Sequence, residues 1–405
     1  MKLKLFFVAI LGIYHLVSFS QNLGAQVTWP MYWPSDYMDK SIRPVTDDLG
    51  NAYSVFRVNS ETDIDPGEGE VLITPSNTYC YCLVKINSEG SYVWSLYWPS
   101  NTFNIGDLTI TSDQKILITG SVTATVDLDP SENEQWYTSV GSADLFVLSF
   151  DLDGGLIGSL MLPANVSFLN TTIDSDKNNN FYLTLGSSSP VVFDEQIGPL
   201  TGSPDNSSVR YMAKYSSDME LIWVNVMDVV DGLLKFYGFE SDSSGNTYWS
   251  GSLIGQVMFN YSSGEINFSR PIGIMDANGY PDTLGFLVKI DEDGNVLWFD
   301  ELGVEIYNYA IIRSVVLLDE SSLIISASGV YTMELYDGII VHPSQGNNIT
   351  RVATETGDYV QDYPNYSYVS DIAVSNGKIW KCTNGSETNG LDIYDSSLVL
   401  SSSGG

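Results

Sequence analysis

Four short signatures recur along this chain in one fixed order, and nothing else in the sequence restricts the fold so tightly. The first centres on tryptophan: "VTWPMYWPS" starts at Val27 and "YVWSLYWPS" at Tyr92, and Trp29, Trp94, Trp223 and Trp298 mark its copies. Gly158 takes the tryptophan's place between Trp94 and Trp223, so the spacings are 65, 64, 65 and 75 residues. The second signature is a turn feeding a strand, with six copies: "DDLGNAY" at Asp47, "SDQKIL" at Ser112, "DKNNNFY" at Asp176, "DSSGNTY" at Asp242, "DESSLI" at Asp319 and "SNGKIW" at Ser375. The third ends a strand on an acid or amide: "DIDP" closing at Pro66, "VDLDP" at Pro130, then Asp194, Asn260 and Asp337. The fourth is a strand with a tight turn, again in six copies, from "CLVKINSEG" through "FLVKIDEDG" to "LDIYDSS".

Between these marks lie short runs of Val, Ile, Tyr, Phe, Trp and Thr bounded by Gly, Asn, Asp, Ser and Pro, without long helical periodicities. Such runs are strands and turns, which makes the chain all-β. One four-stranded antiparallel sheet cannot bury its own apolar faces, but several stacked around an axis can, so the repeat predicts a β-propeller. A solenoid of β-coils would need a much shorter period. The Val27 to Pro34 segment is a tryptophan strand with no fourth signature before it, and "LDIYDSSLVLS" is a fourth signature with no tryptophan strand after it. Pairing of these N- and C-terminal strands would complete one sheet from both ends and leave no exposed edge. The signatures count to about six blades; seven is the alternative, because residues 259–284 and 298–319 leave room for further strands.

Residues 1–20 have the form of a secretory signal: Lys2 and Lys4, an apolar run from Leu5 to about Val17, and small residues at Ser18 and Ser20. The run is shorter than the ~20 residues of a spanning helix. Sec-type cleavage near Ser20 is expected, leaving 21–405 as a single propeller domain, secreted or at the cell surface. Of 17 Lys and Arg against 50 Asp and Glu, two lysines leave with the signal, so the mature chain has 15 basic and 50 acidic side chains and a formal charge of about -35. Nucleic acid is a poor partner for such a chain, since binding it requires cations that displace phosphate counterions. The acidity is expected to keep a monomer soluble.

Three cysteines, Cys80, Cys82 and Cys382, are too few and too odd for a disulfide framework, so a core must stabilise the fold. With 43% hydrophobic and 12% aromatic residues the chain can build one. His15 departs with the signal, leaving His342 as the one mature histidine, which excludes multi-histidine zinc sites.

The "DxxGNxY" turn, the strand end written here "DIDPG" and "DLDPS", and the strand-turn-strand "FLVKIDEDGNVLW" together resemble the secreted bacterial propellers built from SBBP-type repeats, exported proteins common in Bacteroidetes-like bacteria. The resemblance covers Trp29 to about Leu400 and implies a propeller fold. It implies no particular ligand or reaction.

Candidate chemistry is sparse. Asp63 with Asp65, and Asp127 with Asp129, would share a strand face at period two and could contribute oxygens to a Ca²⁺ site. Only the second acid of each pair persists in other repeats, as Asp194, Asn260 and Asp337, which fits a turn-opening residue. "DEDGN" at Asp291 and "DLDGG" at Asp151 begin like calcium loops, but Leu302 and Leu162 stand where the bidentate glutamate belongs, so tight hairpins are expected. Cys82 aligns with Phe146, Tyr211 and Phe286 and is expected in the core. The repeated tryptophans are expected to pack between blades, with Trp33 and Trp98 the better candidates for exposed sugar-stacking rings. Asp113, Asp176, Asp242 and Asp319 occupy similar turns. No residue is singled out as catalytic, cofactor-binding or metal-binding. The expectation is a non-catalytic binding or scaffold module for a protein or polysaccharide, with no cofactor; the alternative is an extracellular carboxylate-dependent hydrolase or lyase, calcium-assisted.

Overall fold

The computed structural model describes residues 38–41, 44–99, 101–131, 133–164, 171–194, 198–200, 208–261, 264–269, 283–302 and 309–330, and thereafter the strands at 333–334, 340–341, 346–353, 359–363, 369–375, 378–383 and 391–395. Residues 1–20, on which the signal expectation rests, the Val27 to Pro34 segment with Trp29 and Trp33, and His342 lie outside these residues. Every regular element among the described residues is a β-strand, and every paired ladder is antiparallel.

Each repeat has become a structural unit with the same strand order. In unit 2 the first strand, Phe103–Ile110, pairs with the second, Ile116–Val122; the second pairs with the third, Asp144–Phe150; and the third pairs with the fourth, Leu156–Leu162. A two-stranded ribbon, Thr125–Asp127 with Trp136–Thr138, springs from the connection between the second and third strands. Unit 1 has its second to fourth strands at Ala52–Val58, Cys80–Ile86 and Tyr92–Trp98, with Met38–Ser41 and Val45–Thr46 sharing the first position. Unit 5 runs Tyr309–Asp319, Ser322–Val330, Gly346–Ala353 and Tyr359–Tyr363, and the last described sheet has three strands, Val369–Ser375, Lys378–Thr383 and Leu391–Asp395.

Units 3 and 4 depart from the expectation of separate sheets. Unit 3 begins with Thr172–Ser175, Phe181–Ser187 and Ser208–Tyr215; the 21-residue strand Leu221–Ser241 pairs with the last of these as its fourth strand and continues without a break as the first strand of unit 4, pairing with Thr247–Tyr261, which Leu284–Ile290 and Val296–Leu302 follow. The two sheets are thereby one, with bulges between Val229 and Asp231 and between Phe236 and Gly238 to turn the strand.

Packing follows from side-chain alternation. On the third strand of unit 2, Phe146, Leu148 and Phe150 face Tyr53, Val55, Leu83 and Trp98 of unit 1. The intervening Leu145 and Val147 face Phe181, Leu183 and Tyr211 of unit 3. The same two-sidedness carries the stack onward, from Tyr182 and Met212 to Trp249 and Phe286, then from Tyr248 and Leu287 to Val315 and Leu323. All seven residues of the second and third strands of unit 2 are therefore buried, where a sheet covered on one face would bury half. Full burial of each large side chain contributes roughly 1.5–3 kcal/mol, so the stack supplies the core that few cysteines could not.

The first strands lie along one edge of the stack, the inner wall, and bond across the unit 2–unit 3 and unit 4–unit 5 boundaries: Ile173 N–H donates to Asp107 Oδ2 (3.1 Å), Ser175 Oγ to the Ile110 carbonyl (3.1 Å), and Leu317 N–H to Glu240 Oε2 (3.3 Å). The fourth strands lie at the other edge, where Val93, Ile157, Ile222 and Leu297 occupy one repeated position and are exposed.

Candidate functional site

The repeated polar residues have structural partners. Asp47 Oδ1 accepts from the backbone N–H of Leu49 and Asn51, while its Oδ2 accepts from Asn51 Nδ2 (2.7 Å) and Tyr53 OH (2.9 Å). Asp176 does the same with Asn178, Asn180 and Tyr182, and Asp242 with Ser244, Asn246 and Tyr248. The spacing follows from geometry, since one carboxylate closes a five-residue turn through its +2 and +4 amides and then anchors the +6 tyrosine on the departing strand. Burial, with Asp47 and Asp176 beside them, drives the Tyr53 and Tyr182 hydroxyls far above the usual phenol range, so both stay neutral donors.

A lysine and a tryptophan carry this assembly into the next unit. Lys214 Nζ lies 3.9 Å from Asp176 Oδ2, sits over the Tyr182 ring and donates to the Glu292 carbonyl (3.2 Å). Trp223 Nε1 donates to that same carbonyl (3.0 Å). Lys85 and Trp94 converge likewise on the Leu152 carbonyl, at 2.8 and 3.2 Å. The expectation that Trp94 and Trp223 pack between units is met, with a hydrogen-bonding role the sequence did not reveal.

Other expected sites resolve as structure or move. Trp98, one of the two better candidates for an exposed stacking ring, is 1% exposed, stacked on Phe103 at 4.8 Å and bonded through Nε1 to the Leu128 carbonyl. Its strand continues into a loop, and the ring folds back over the unit 1–unit 2 core. Asp113 is the third residue of its turn; Thr111 holds the place of Asp47 and Asp176, and Asp113 accepts from Thr111 Oγ1 and pairs with Lys115. Asp65 and Asp129 fall beyond the strands that end at Asp63 and Asp127, so the pairs do not share a strand face. Asp63 Oδ1 accepts from Asp65 and Val71 amides, and Asp127 Oδ1 from Asp129 and Gln135 amides. Asp151 and Asp291 each close a hairpin through two amides, with Gly154 and Gly294 at φ +88°. Cys80 and Cys82 are fully buried, and burial pushes the Cys80 thiol up to about 11 and Cys82 higher, which keeps both protonated and inert.

One structural acid escaped the sequence reading. Asp144 has no exposed surface and accepts from the amides of Val140 (2.6 Å), Gly141 and Ala164 and from Tyr137 OH (2.7 Å). Burial alone would raise its pKa, but those donors outweigh it and hold the carboxyl below the usual range.

Chemistry outside the repeat gathers on the inner wall. Opposite the tyrosine of the second strand, the first strand carries Val45 in unit 1 but Asp174 in unit 3 and Glu240 in unit 4. Asp107 stands two positions earlier in unit 2, where units 3 and 4 have Thr172 and Gly238. Burial is the main cause of Glu240's rise to about 7, with Asp174 adding to it and Lys177 and the Ser241 and Leu317 amides opposing it. The residue itself is only half-buried, so solvent moderates the effect.

At the boundary of units 3 and 4 the inner wall opens into a cleft of about 190 Å³, lined by Asp107, Thr172 and Asp174 on one side and by Phe236, Tyr237, Phe239 and Trp249 on the other. Tyr237 is the bulge residue of its strand, and the bulge leaves it exposed. Among the described residues no group of three or more His, Cys, Asp or Glu is arranged to hold a metal ion.

Comparison with known proteins adds little beyond this geometry. No family model matches the chain, and no curated protein matches it. Among solved structures, the crystal structure of BamB from Moraxella catarrhalis is similar at a TM-score of 0.38 and 11% identity, covering 84% of this chain and 79% of that one.

Proposed function

We propose that this chain is a secreted or cell-surface β-propeller that binds or scaffolds other molecules without changing them chemically. One observation carries the reading: the recurring turn acids Asp47, Asp176 and Asp242 each accept four hydrogen bonds from their own turn and strand. Acids so engaged hold a fold rather than transfer protons. In this reading the ring has six units, its last sheet is completed by the Val27 to Pro34 strand, the protein is a monomer, and its partner is a protein or a polysaccharide. The motif resemblance to SBBP-type repeats and the signal-like residues 1–20 support the extracellular setting.

The test is thermal unfolding of residues 21–405 against a panel of soluble polysaccharides, with calcium and with chelator, while new reducing ends are assayed in the same tubes. A ligand that binds only the native state raises its midpoint by mass action. The reading predicts such a rise with no new ends; release of new ends would replace it with a carboxylate-dependent hydrolase or lyase. Disulfide pairing of cysteines placed across 27–34 and 391–395 checks the closing of the ring.

A further inference from the structure

We propose that the cleft between units 3 and 4 is a binding site for an organic cation, a primary ammonium group on a slender apolar stem; the proposal rests on the binding reading above and names its ligand class. Its two walls differ in chemistry. Asp107 and Asp174 contribute carboxylates from the first strands of units 2 and 3, whereas Phe236, Tyr237, Phe239 and Trp249 contribute aromatic rings from unit 4. None of the lining residues is a cation.

Each wall excludes a ligand class. An anion would meet two carboxylates in a protein of formal charge -33. Ca²⁺ needs six to eight oxygens, and four of the nine lining residues are aromatic. A cleft of about 190 Å³ matches one amino-acid side chain or a short diamine better than the several rings of a sugar chain. An ammonium group on an alkyl stem satisfies both walls, since its three N–H donors find carboxylate acceptors and the rings cover the stem and face the charge.

The position within the repeat supports the same conclusion. At the unit 2–unit 3 and unit 4–unit 5 boundaries the inner strands are tied together by Ile173 to Asp107 and by Leu317 to Glu240, and the cleft opens at the boundary between those two. Asp174 replaces the aliphatic Val45 of unit 1, and Tyr237 stands at a bulge where unit 2 has Gly106.

The experiment titrates the mature protein with Nα-acetyl-lysine N-methylamide, with 1,5-diaminopentane and with the uncharged Nα-acetyl-norleucine N-methylamide, at about 0.15 M salt to screen the general surface charge. Binding is followed by ligand-observed NMR, and the probes are checked by mass spectrometry for chemical change. The two cations should bind and the norleucine compound should not. Asp107→Asn and Asp174→Asn should each weaken binding about tenfold, whereas Glu89→Gln on an exposed hairpin should leave it unchanged. Tyr237→Leu, at an exposed ring whose loss spares the core, should also weaken binding and keeps the test decisive where an aspartate variant fails to fold. The tighter of the two cations tells whether the natural ligand is a lysine side chain of a partner protein or a free diamine. Equal binding of norleucine, undiminished binding by all three cleft variants, or no binding of either cation would overturn the proposal and leave the non-catalytic reading standing. A chemically altered probe would do the reverse.

Discussion

Met219 occupies the space that a tryptophan fills elsewhere in the repeat, because its partner across the unit boundary is Gly158: a Cβ built on Gly158 would lie 3.1 Å from Met219 Cε and 3.6 Å from its sulfur. In the other copies the pairing is inverted. The hairpin position of Met219 is held by Gly154 and Gly294, and these lie against Trp94 and Trp223. Met219 itself is at φ +64°, a left-handed conformation that glycine adopts at no cost. One large group and one small group thus share each boundary, on opposite sides in different units.

The exchange predicts a coupled pair. Gly158→Trp alone overpacks the boundary and Met219→Gly alone opens a cavity, each losing roughly 1–3 kcal/mol, while the double variant recovers much of the loss. Denaturant unfolding of the four proteins measures the coupling, expected at about 1 kcal/mol or more; additive losses would mean the two sites are independent.

The carbonyl of Glu292 collects two donors, Lys214 Nζ and Trp223 Nε1. Trp223→Phe keeps most of the ring and removes one bond, with an expected loss of about 1 kcal/mol. Lys214→Ala should cost more, because it also removes the group lying beside Asp176 and over Tyr182. Urea midpoints at constant m-value test the ranking, and equal losses would contradict it.

Asp144 should govern part of the acid sensitivity. Its folded pKa is depressed, so its contribution is complete above the unfolded value near pH 3.9 and is lost as pH falls through the folded pKa. Asp144→Asn replaces one carboxylate oxygen by an amide N–H group, sets it against two of the four donors and should cost about 3 kcal/mol at pH 7, with a smaller difference from wild type in strong acid. Thermal midpoints from pH 7 down to pH 2 measure it.

Glu240 has the opposite sign. Its folded pKa is raised to about 7, so the folded state holds the extra proton between roughly pH 4.5 and 7. Stability on its account is complete below the unfolded value and declines as pH rises through 7. Glu240→Gln should stabilise the protein at pH 8 by about 1 kcal/mol, after discounting for solvent around the half-exposed carboxyl, and do little at pH 5.

The sequence made legible what the repeat repeats. The Asp47, Asp176 and Asp242 turns, the hairpins at Asp151 and Asp291 and the core place of Cys82 all follow from local chemistry that needs no tertiary knowledge. Trp98 could not be placed from its "YWPS" context, since burial of that ring depends on Phe103 and Leu128 across a unit boundary. Asp144 was hidden for a similar reason: its donors Val140, Gly141 and Ala164 belong to connections on either side of its own hairpin. The cleft was the hardest to see. Its acids lie on first strands, the one element of each unit without a recurring signature, so only the register of strand pairing shows Asp174 and Glu240 to be departures from Val45.

Asp174 and Asp176, two positions apart, separate the two roles most directly: Asp176 belongs to the repeat and holds a turn, whereas Asp174 departs from it and lines the cleft, accepting through Oδ1 from Ser175 N–H and Thr109 Oγ1. The decisive measurement is the unfolding midpoint and the affinity for Nα-acetyl-lysine N-methylamide of Asp176→Ala and Asp174→Asn side by side. The account predicts that Asp176→Ala loses about 2 kcal/mol of stability and still binds the probe when folded, while Asp174→Asn loses at most about 1 kcal/mol and binds about tenfold more weakly. A stable Asp176→Ala, or an Asp174→Asn that binds as tightly as wild type, would contradict it.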